Sequence, residues 1–508
     1  MGPFDGKGLI GSGETSPMRF SDKTILYIGS HVAGSMFPLV ASMVMVRYLS
    51  QHEYGTYREI MLFTVLLPTW IALGLPQSLS YFIPRASSQE EKKQLALQIF
   101  LCLTVLGAIA SIVIYSLQNQ VVRAFANPSL IPLAWICSLY LLFIVPNKCA
   151  QATLLSLGRI NFASALDVAT NVGNFLFVVV PLFLGYGLRT VLLSMLIFYA
   201  LKFVLVSFIL MSLDGGLPKL FDRAILKAQM VYSLPLWLSV FVGGVRSSVD
   251  KFLVVFLYRT EDFAVYSRGA FELPLVGIVP FALSNVLAPR YAESYKRGDV
   301  ANVLALWRQA ARKVAQLFFP LFVFCFIFAE PIITLLFTSQ YTGGVEIFRI
   351  YLCLLPLRIV SYKTILIAAG ETKPILTATT ISFVASVVLG IALERALGFS
   401  GPALGYVFGE IFGMGHMLWR SKRVLQVSWA DFIPFRELAQ PLWGAAFVGM
   451  IVFPFHFVAL EHSGLVLAYA VAYFAAYIAF MRVFRFFTEE DWALICRYAT
   501  LKVLRDLR

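Results

Sequence analysis

The sequence predicts an all-α integral membrane protein with about fourteen transmembrane helices, in two parallel six-helix repeats plus two accessory helices. Three observations carry this. The chain has 508 residues, 59% of them hydrophobic and 14% charged, with a mean hydropathy of +0.79; globular domains run at roughly 45–50% apolar and about 25% charged. Apolar stretches about 20 residues long, enough to cross a hydrocarbon core of about 30 Å, recur along the chain. Loop motifs repeat in order at an offset of about 210 residues. A soluble enzyme and a disordered scaffold are excluded by the first observation alone.

Residues 1–23 are polar and Gly/Ser-rich and are expected to form a cytoplasmic tail. The apolar run after them, from Thr24 to Leu49, is too long for a signal-peptide core and reads as a retained first span. Spans follow at 59–83, 95–117, 130–156, 163–185 and 189–211, completing a first half over 24–212. A cytoplasmic linker at 213–232 leads to a second half over 233–423, with spans at 233–258, 265–287, 314–336, 346–368, 374–397 and 401–419. Residues 424–485 carry two accessory spans at 439–459 and 464–482. The tail at 486–508 interleaves apolar and basic residues, as an amphipathic segment on the inner membrane surface does. Pro38, Pro68, Pro76, Pro274 and Pro280 interrupt the first, second and eighth spans, making these the expected bending points.

The repeat is read from loops. Glu53-Tyr54-Gly55-Thr56-Tyr57 is echoed by Asp262-Phe263-Ala264-Val265-Tyr266, and Pro84-Arg85 by Pro289-Arg290. Leu157-Gly158-Arg159-Ile160-Asn161 is answered by Ala369-Gly370-Glu371-Thr372-Lys373, and Gly185-Tyr186-Gly187 by Gly398-Phe399-Ser400. On the twelfth span Gly401, Gly405, Gly409 and Gly413 form a small-residue stripe, expected to pack within a monomeric chain rather than to form a dimer interface.

A net charge of +13 would hint at nucleic acid in a soluble protein, but here the basic residues cluster between spans. With both termini inside, about 27 of the 41 Lys and Arg fall in inner segments and about six in outer ones, the positive-inside pattern. The six cysteines lie mostly within apolar stretches with no CxxC spacing, which indicates neither a disulfide framework nor a metal site. No GxxxxGK[ST], HExxH or GxSxG motif and no long outer loop with paired carboxylates occurs. A membrane polymerase or ligase therefore has little support, and no cofactor, metal or nucleic-acid partner is expected.

Ionisable residues at membrane depth are costly and mark pairing or function. Arg246 and Asp250 on the seventh span, and Arg268 and Glu272 on the eighth, are each spaced by one helical turn, so each pair is expected to share a face and the two helices to form one four-charge cluster beside Lys251. Arg246, Lys251, Arg268 and His31 are candidate cavity residues for an anionic headgroup. Asp250 and Glu272 are candidates for ion coupling or for a salt bridge that opens on binding, the alternative being a permanent network stapling two helices. Lys148 and Asp167 are expected to form a structural pair. Lys202, Arg349, Arg358 and Lys363 push the intramembrane balance further toward positive charge, which suits a phosphate-bearing substrate.

Leu49-Ser50-Gln51-His52-Glu53-Tyr54-Gly55-Thr56-Tyr57 resembles the L-x-x-x-E-Y-G-x-Y signature after the first helix of polysaccharide flippases. So do Leu234-Pro235-Leu236-Trp237, Ser248-Val249-Asp250-Lys251-Phe252, Val265-Tyr266-Ser267, Leu335-Leu336-Phe337 with Tyr341, Ala368-Ala369-Gly370-Glu371-Thr372-Lys373, and Gly398-Phe399-Ser400-Gly401-Pro402-Ala403-Leu404-Gly405 with Glu410. The chain thus resembles the Wzx-type lipid-linked oligosaccharide flippases of the multidrug/oligosaccharidyl-lipid/polysaccharide exporter superfamily. The resemblance implies a central cavity between two lobes, lined by the first, second, seventh and eighth spans. It implies alternating access, driven by an ion gradient, that turns an undecaprenyl-pyrophosphate-linked glycan from the cytoplasmic to the outer leaflet of a bacterial inner membrane for O-antigen or exopolysaccharide synthesis. Membrane lipid, a polysaccharide polymerase and glycosyltransferases would be its partners. A peptidoglycan-precursor flippase or a drug/cation antiporter of the same fold are the alternatives. His31 stands where the peptidoglycan relatives carry arginine, and the basic excess disfavours a cation antiporter.

Overall fold

The structure, a computed structural model, describes residues 34, 36–214, 221–359, 362–484 and 486. His31, the tail at 1–23 and all but the first residue of the tail at 486–508 lie outside these. The described residues are almost entirely helical. The first half runs α1 (Met36–Tyr48), α2 (Gln51–Ile71), α3 (Leu75–Phe82), α4 (Gln89–Ser116), α5 (Gln118–Phe125), α6 (Ala134–Ser156), α7 (Ile160–Phe183) and α8 (Leu188–Met211). The second continues with α9 (Arg223–Arg246), α10 (Val249–Leu257), α11 (Thr260–Gly269), α12 (Pro274–Lys296), α13 (Val300–Ile327) and α14 (Ala329–Phe337). After these come α15 (Val345–Leu352), α16 (Leu354–Leu357), α17 (Lys363–Ala368), α18 (Lys373–Leu397) and α19 (Gly401–Leu425). The accessory region is α20 (Trp429–Phe432), α21 (Phe435–Val452), α22 (Phe455–Glu461) and α23 (Val466–Val483).

Among the described residues eight stretches are long and apolar enough to cross a membrane, or ten when two bent pairs each count as one. The expected fourteen are not met as unbroken spans, because several expected spans are broken. α2 and α3 meet at 45° where Leu73 (φ 49°) and Gly74 (φ 70°) take left-handed backbone, and α21 and α22 meet at 61°.

Two breaks decide the site. The eighth span stops at α11 and restarts at Pro274; the residue before a proline is disfavoured in helical backbone, and Leu273 is extended (φ −62°, ψ 132°), so that Ala270 to Leu273 lie outside either helix. The seventh span breaks at Ser247 and Ser248, between a Gly243-Gly244 pair and Val249, where poor helix formers lie in succession. Arg246 and Asp250 therefore lie on either side of one break, and Glu272 lies within the other, beyond the end of the helix that carries Arg268.

α18 and α19 fold back on each other through the glycine stripe. A Cβ on Gly405 would sit 2.3 Å from the Gly390 amide nitrogen, and one on Gly409 or Gly413 would meet Ser386 or Ser382. The stripe thus serves packing inside the chain.

One end of the molecule is closed between the halves. A Cβ on Gly55 of α2 would lie 2.2 Å from the Thr260 carbonyl oxygen at the start of α11. Around this contact Arg47 donates to the carbonyls of Leu335 and Leu336 at 2.7 and 2.9 Å, Gln51 donates to that of Gln340 at 3.1 Å, and His52 Nδ1 lies 2.7 Å from Glu261 Oε1. Further along α2 the halves touch through α9: Trp237 Nε1 donates to the Trp70 carbonyl at 2.7 Å, and Tyr232 stacks on Tyr81 at 4.6 Å.

Candidate cation-lined cavities

The expected four-charge cluster does not form, because both helices are broken between the charges that a continuous turn would have aligned. Arg246 pairs with Glu410 of α19 rather than with Asp250, and donates to Ser382 Oγ at 3.3 Å. Glu272 takes its ion pair from Arg358, not from Arg268, and Arg358 also lies 3.7 Å from Glu410. Arg246, Glu410, Arg358 and Glu272 form one alternating chain of charge, and Tyr406 donates to Glu272 at 3.4 Å. Arg246, Arg358 and Glu410 line a second-half cavity of about 660 Å3.

Asp250 and Lys251 sit apart from that chain. Asp250 is fully buried and accepts from Tyr266 at 2.8 Å and Tyr351 at 2.5 Å, while Lys251 Nζ lies 3.8 Å from its other oxygen and donates to Tyr351 at 3.2 Å. Tyr351 stacks on Tyr406 at 5.5 Å, linking the two groups.

Arg268 goes elsewhere again. It is 5% exposed, with its guanidinium 5.1 Å from the Tyr54 ring and 5.0 Å from the Phe337 ring, and no carboxylate among the described residues lies in ion-pair range. It lines a cavity of about 320 Å3 between the halves, with Arg58, Glu272, Asn171 and Asn174. Arg58 likewise has no carboxylate partner among the described residues, and it lies one residue before the 59–83 span that hydropathy predicts. The signal that finds it is the capping box Ser50-x-x-Glu53, in which the Glu53 amide donates to Ser50 Oγ at 3.2 Å and the Ser50 amide to Glu53 at 3.0 Å. That box starts α2 well before residue 59 and carries Arg58 into the helix.

In the first half, Lys148 and Asp167 line one cavity of about 380 Å3 together with Lys202, and Lys148 Nζ donates to Thr69 Oγ1 at 3.0 Å. No group of three or more potential metal ligands occurs among the described residues.

The family model for polysaccharide biosynthesis proteins matches residues 44–346, and the chain belongs to that family. No curated protein sequence matches it. Among solved structures, it is similar to the lipid II flippase MurJ in an inward closed conformation, with a TM-score of 0.74 and 17% identity over 92% of this chain and 98% of that one. It is also similar to an inward-facing multidrug resistance MATE family transporter of the MOP superfamily, at TM-score 0.63 and 18% identity over 78% of this chain and 96% of that one. A MOP superfamily transporter from Pyrococcus furiosus, described as having a binding pocket of reverse polarity, matches at TM-score 0.54 and 17% identity over 80% of this chain and 95% of that one. The chain is thus a multi-pass membrane protein with the fold shared by these transporters.

Proposed function

We propose that this member of the polysaccharide biosynthesis family is a flippase for a polyprenyl-pyrophosphate-linked oligosaccharide, working by alternating access from the cytoplasmic to the outer leaflet of a bacterial inner membrane. The observation that carries the reading is the pair of arginines at the central cavity. Arg58 and Arg268 face one space between the halves, and no carboxylate neutralises either among the described residues. A buried guanidinium without a counter-ion is costly, and a ligand that brings two adjacent phosphates offsets that cost by forked, charge-assisted hydrogen bonds.

Contacts hold the halves together at the His52 end and again between Trp70 and Trp237 and between Tyr81 and Tyr232, so the two sets would part in turn for substrate to enter and to leave. Translocation then requires parting of His52 from Glu261 and of Gly55 from Thr260. The backbone breaks in the second, seventh and eighth spans are where the helices can bend without losing further hydrogen bonds. Asp250, held by Tyr266 and Tyr351, and Glu272, shared between the central cavity and Arg358, are the groups that would carry an ion or switch partners when substrate arrives. Lys251 acts through Asp250 in this reading, and Arg246 through Glu410. His31, which lies outside the described residues, keeps the substrate-binding role that the resemblance implies.

The test is export of surface polysaccharide in cells whose only copy is Arg268→Gln or Arg58→Gln, with membrane insertion checked separately. Loss of export with normal insertion supports the reading; normal export in the double variant overturns it. A drug/cation antiporter would instead want carboxylates at the central cavity, where Glu272 is already engaged by Arg358.

A further inference from the structure

The first-half cavity is separate from the central one and its chemistry is different. It is walled by α2, α3, α6, α7 and α8, and its volume of about 380 Å3 lies at the lower end of the range of small-molecule sites, about 300–1,000 Å3. Lys148 and Lys202 bring two ammonium groups to it and Asp167 one carboxylate, leaving an excess of positive charge at membrane depth. The first turn of α3, where the second span restarts after its break, borders the cavity through Pro76 and Gln77.

Positive charge alone would fit any oxyanion. Asn147 narrows the choice. It is 6% exposed and lines the cavity, and its Nδ2 donates to the Tyr199 carbonyl at 3.1 Å, which fixes the amide so that Oδ1 is the free atom. That Oδ1 has no hydrogen-bond partner. A buried acceptor without a donor costs free energy, and a fully deprotonated oxyanion such as sulfate, which only accepts, cannot supply one. A hydroxyl can. Gln77 and Gln151, also at the wall, offer further amide donors and acceptors for hydroxyls.

We infer that this cavity is a second ligand site, for a monosaccharide unit bearing one oxyanion, of the sugar phosphate or uronic acid class. Lys148 and Lys202 bind the oxyanion, Asp167 balances the empty site, and Asn147 Oδ1 accepts from a ring hydroxyl. The inference rests on the glycan-carrying function proposed above and deepens it, since the ligand would be an acidic sugar of the transported glycan held away from the central arginines.

The experiment is titration calorimetry on the full-length Arg58→Gln/Arg268→Gln protein in detergent micelles, which takes the central arginines out of the reading, with glucose 1-phosphate, glucuronate, neutral glucose and sulfate as probes. Glucose 1-phosphate and glucuronate should bind at least about tenfold more tightly than glucose, the loss expected for one charge-assisted hydrogen bond. Both should bind more tightly than sulfate. Lys148→Gln and Lys202→Gln, each added to that background, should weaken the acidic sugars roughly tenfold. Asn147→Leu should erase the preference over sulfate. Equal binding of glucose, or sulfate binding as tightly as the sugar phosphate, overturns the assignment. So does unchanged binding of the acidic sugars in the lysine variants. Failure of polysaccharide export in Arg268→Gln reports on the flippase reading alone, so the two fail separately.

Discussion

The central cavity and the second-half cavity hold the same residue type in opposite electrostatic states. In the second half, Arg246 and Arg358 are answered by Glu410 and Glu272 in one alternating chain. At the centre, Arg268 lies against two aromatic faces and shares a cavity with Arg58 and two asparagine side chains, and neither arginine has a carboxylate of its own among the described residues. Burying a charge must be offset by something. In one place the protein supplies the offset itself; in the other no carboxylate within ion-pair range supplies it among the described residues.

That contrast can be broken by substitution. The largest effect is expected from Arg58→Gln combined with Arg268→Gln. Each arginine should contribute about 10–100-fold to substrate affinity, the range for charge-assisted hydrogen bonds, so export assayed by cell-surface glycan should fall to background. Thermal unfolding of the same purified variant should be unshifted or raised, since unpaired buried charges are removed. Glu410→Gln should do the reverse. It strips Arg246 of its carboxylate and Arg358 of one of two, and breaking such a buried network costs about 3 kcal/mol, read as an unfolding midpoint lower by several degrees. Replacing Arg246 and Glu410 together by Met and Leu should recover most of that loss.

Smaller effects sharpen the comparison. Tyr351→Phe removes one donor from Asp250 and one acceptor from Lys251, and should destabilise by about 1–3 kcal/mol in chemical unfolding, with substrate binding retained. The smallest effect lies at the closed end. Backbone amides, and then the hydrogen bond from His52, hold the Glu261 carboxyl below the usual carboxylate range. A depressed carboxyl contributes stability that is present above its unfolded value and lost as pH falls through its folded value. The closed end should therefore loosen only in acid, by less than about 1 kcal/mol for so exposed a pair. Cross-linking of cysteines placed at Gln51 and Gln340 should show this pH dependence, and Glu261→Gln should remove it.

Much of this architecture is legible in the sequence, for identifiable reasons. Hydropathy places the helices because lipid leaves little choice. The glycine stripe reads correctly as internal packing, since Gly405 meets Gly390 backbone to backbone. Pro274 announces a break, yet the pairing of Arg268 with Glu272 was expected across it, and a proline that stops a helix also cancels the turn on which that pairing depends. The Ser247-Ser248 break carries no proline and is faint. Glu410 lies far along the chain from Arg246, and only the α18–α19 hairpin, packed against α9 and α10, brings it there. Arg58 was legible through the Ser50/Glu53 capping box, which outweighs hydropathy in fixing where α2 begins.

The central claim is that anion recognition belongs to the unpaired arginines and not to the paired ones. The direct measurement is equilibrium binding of a polyprenyl-pyrophosphate-linked oligosaccharide to the full-length protein in nanodiscs. It compares the wild type, the Arg58→Gln/Arg268→Gln variant and the Arg246→Met/Glu410→Leu variant. The account predicts at least about a 100-fold loss of affinity in the first variant and a change within about threefold in the second. Retention of affinity without Arg58 and Arg268, or its loss only when Arg246 and Glu410 are replaced, would contradict it.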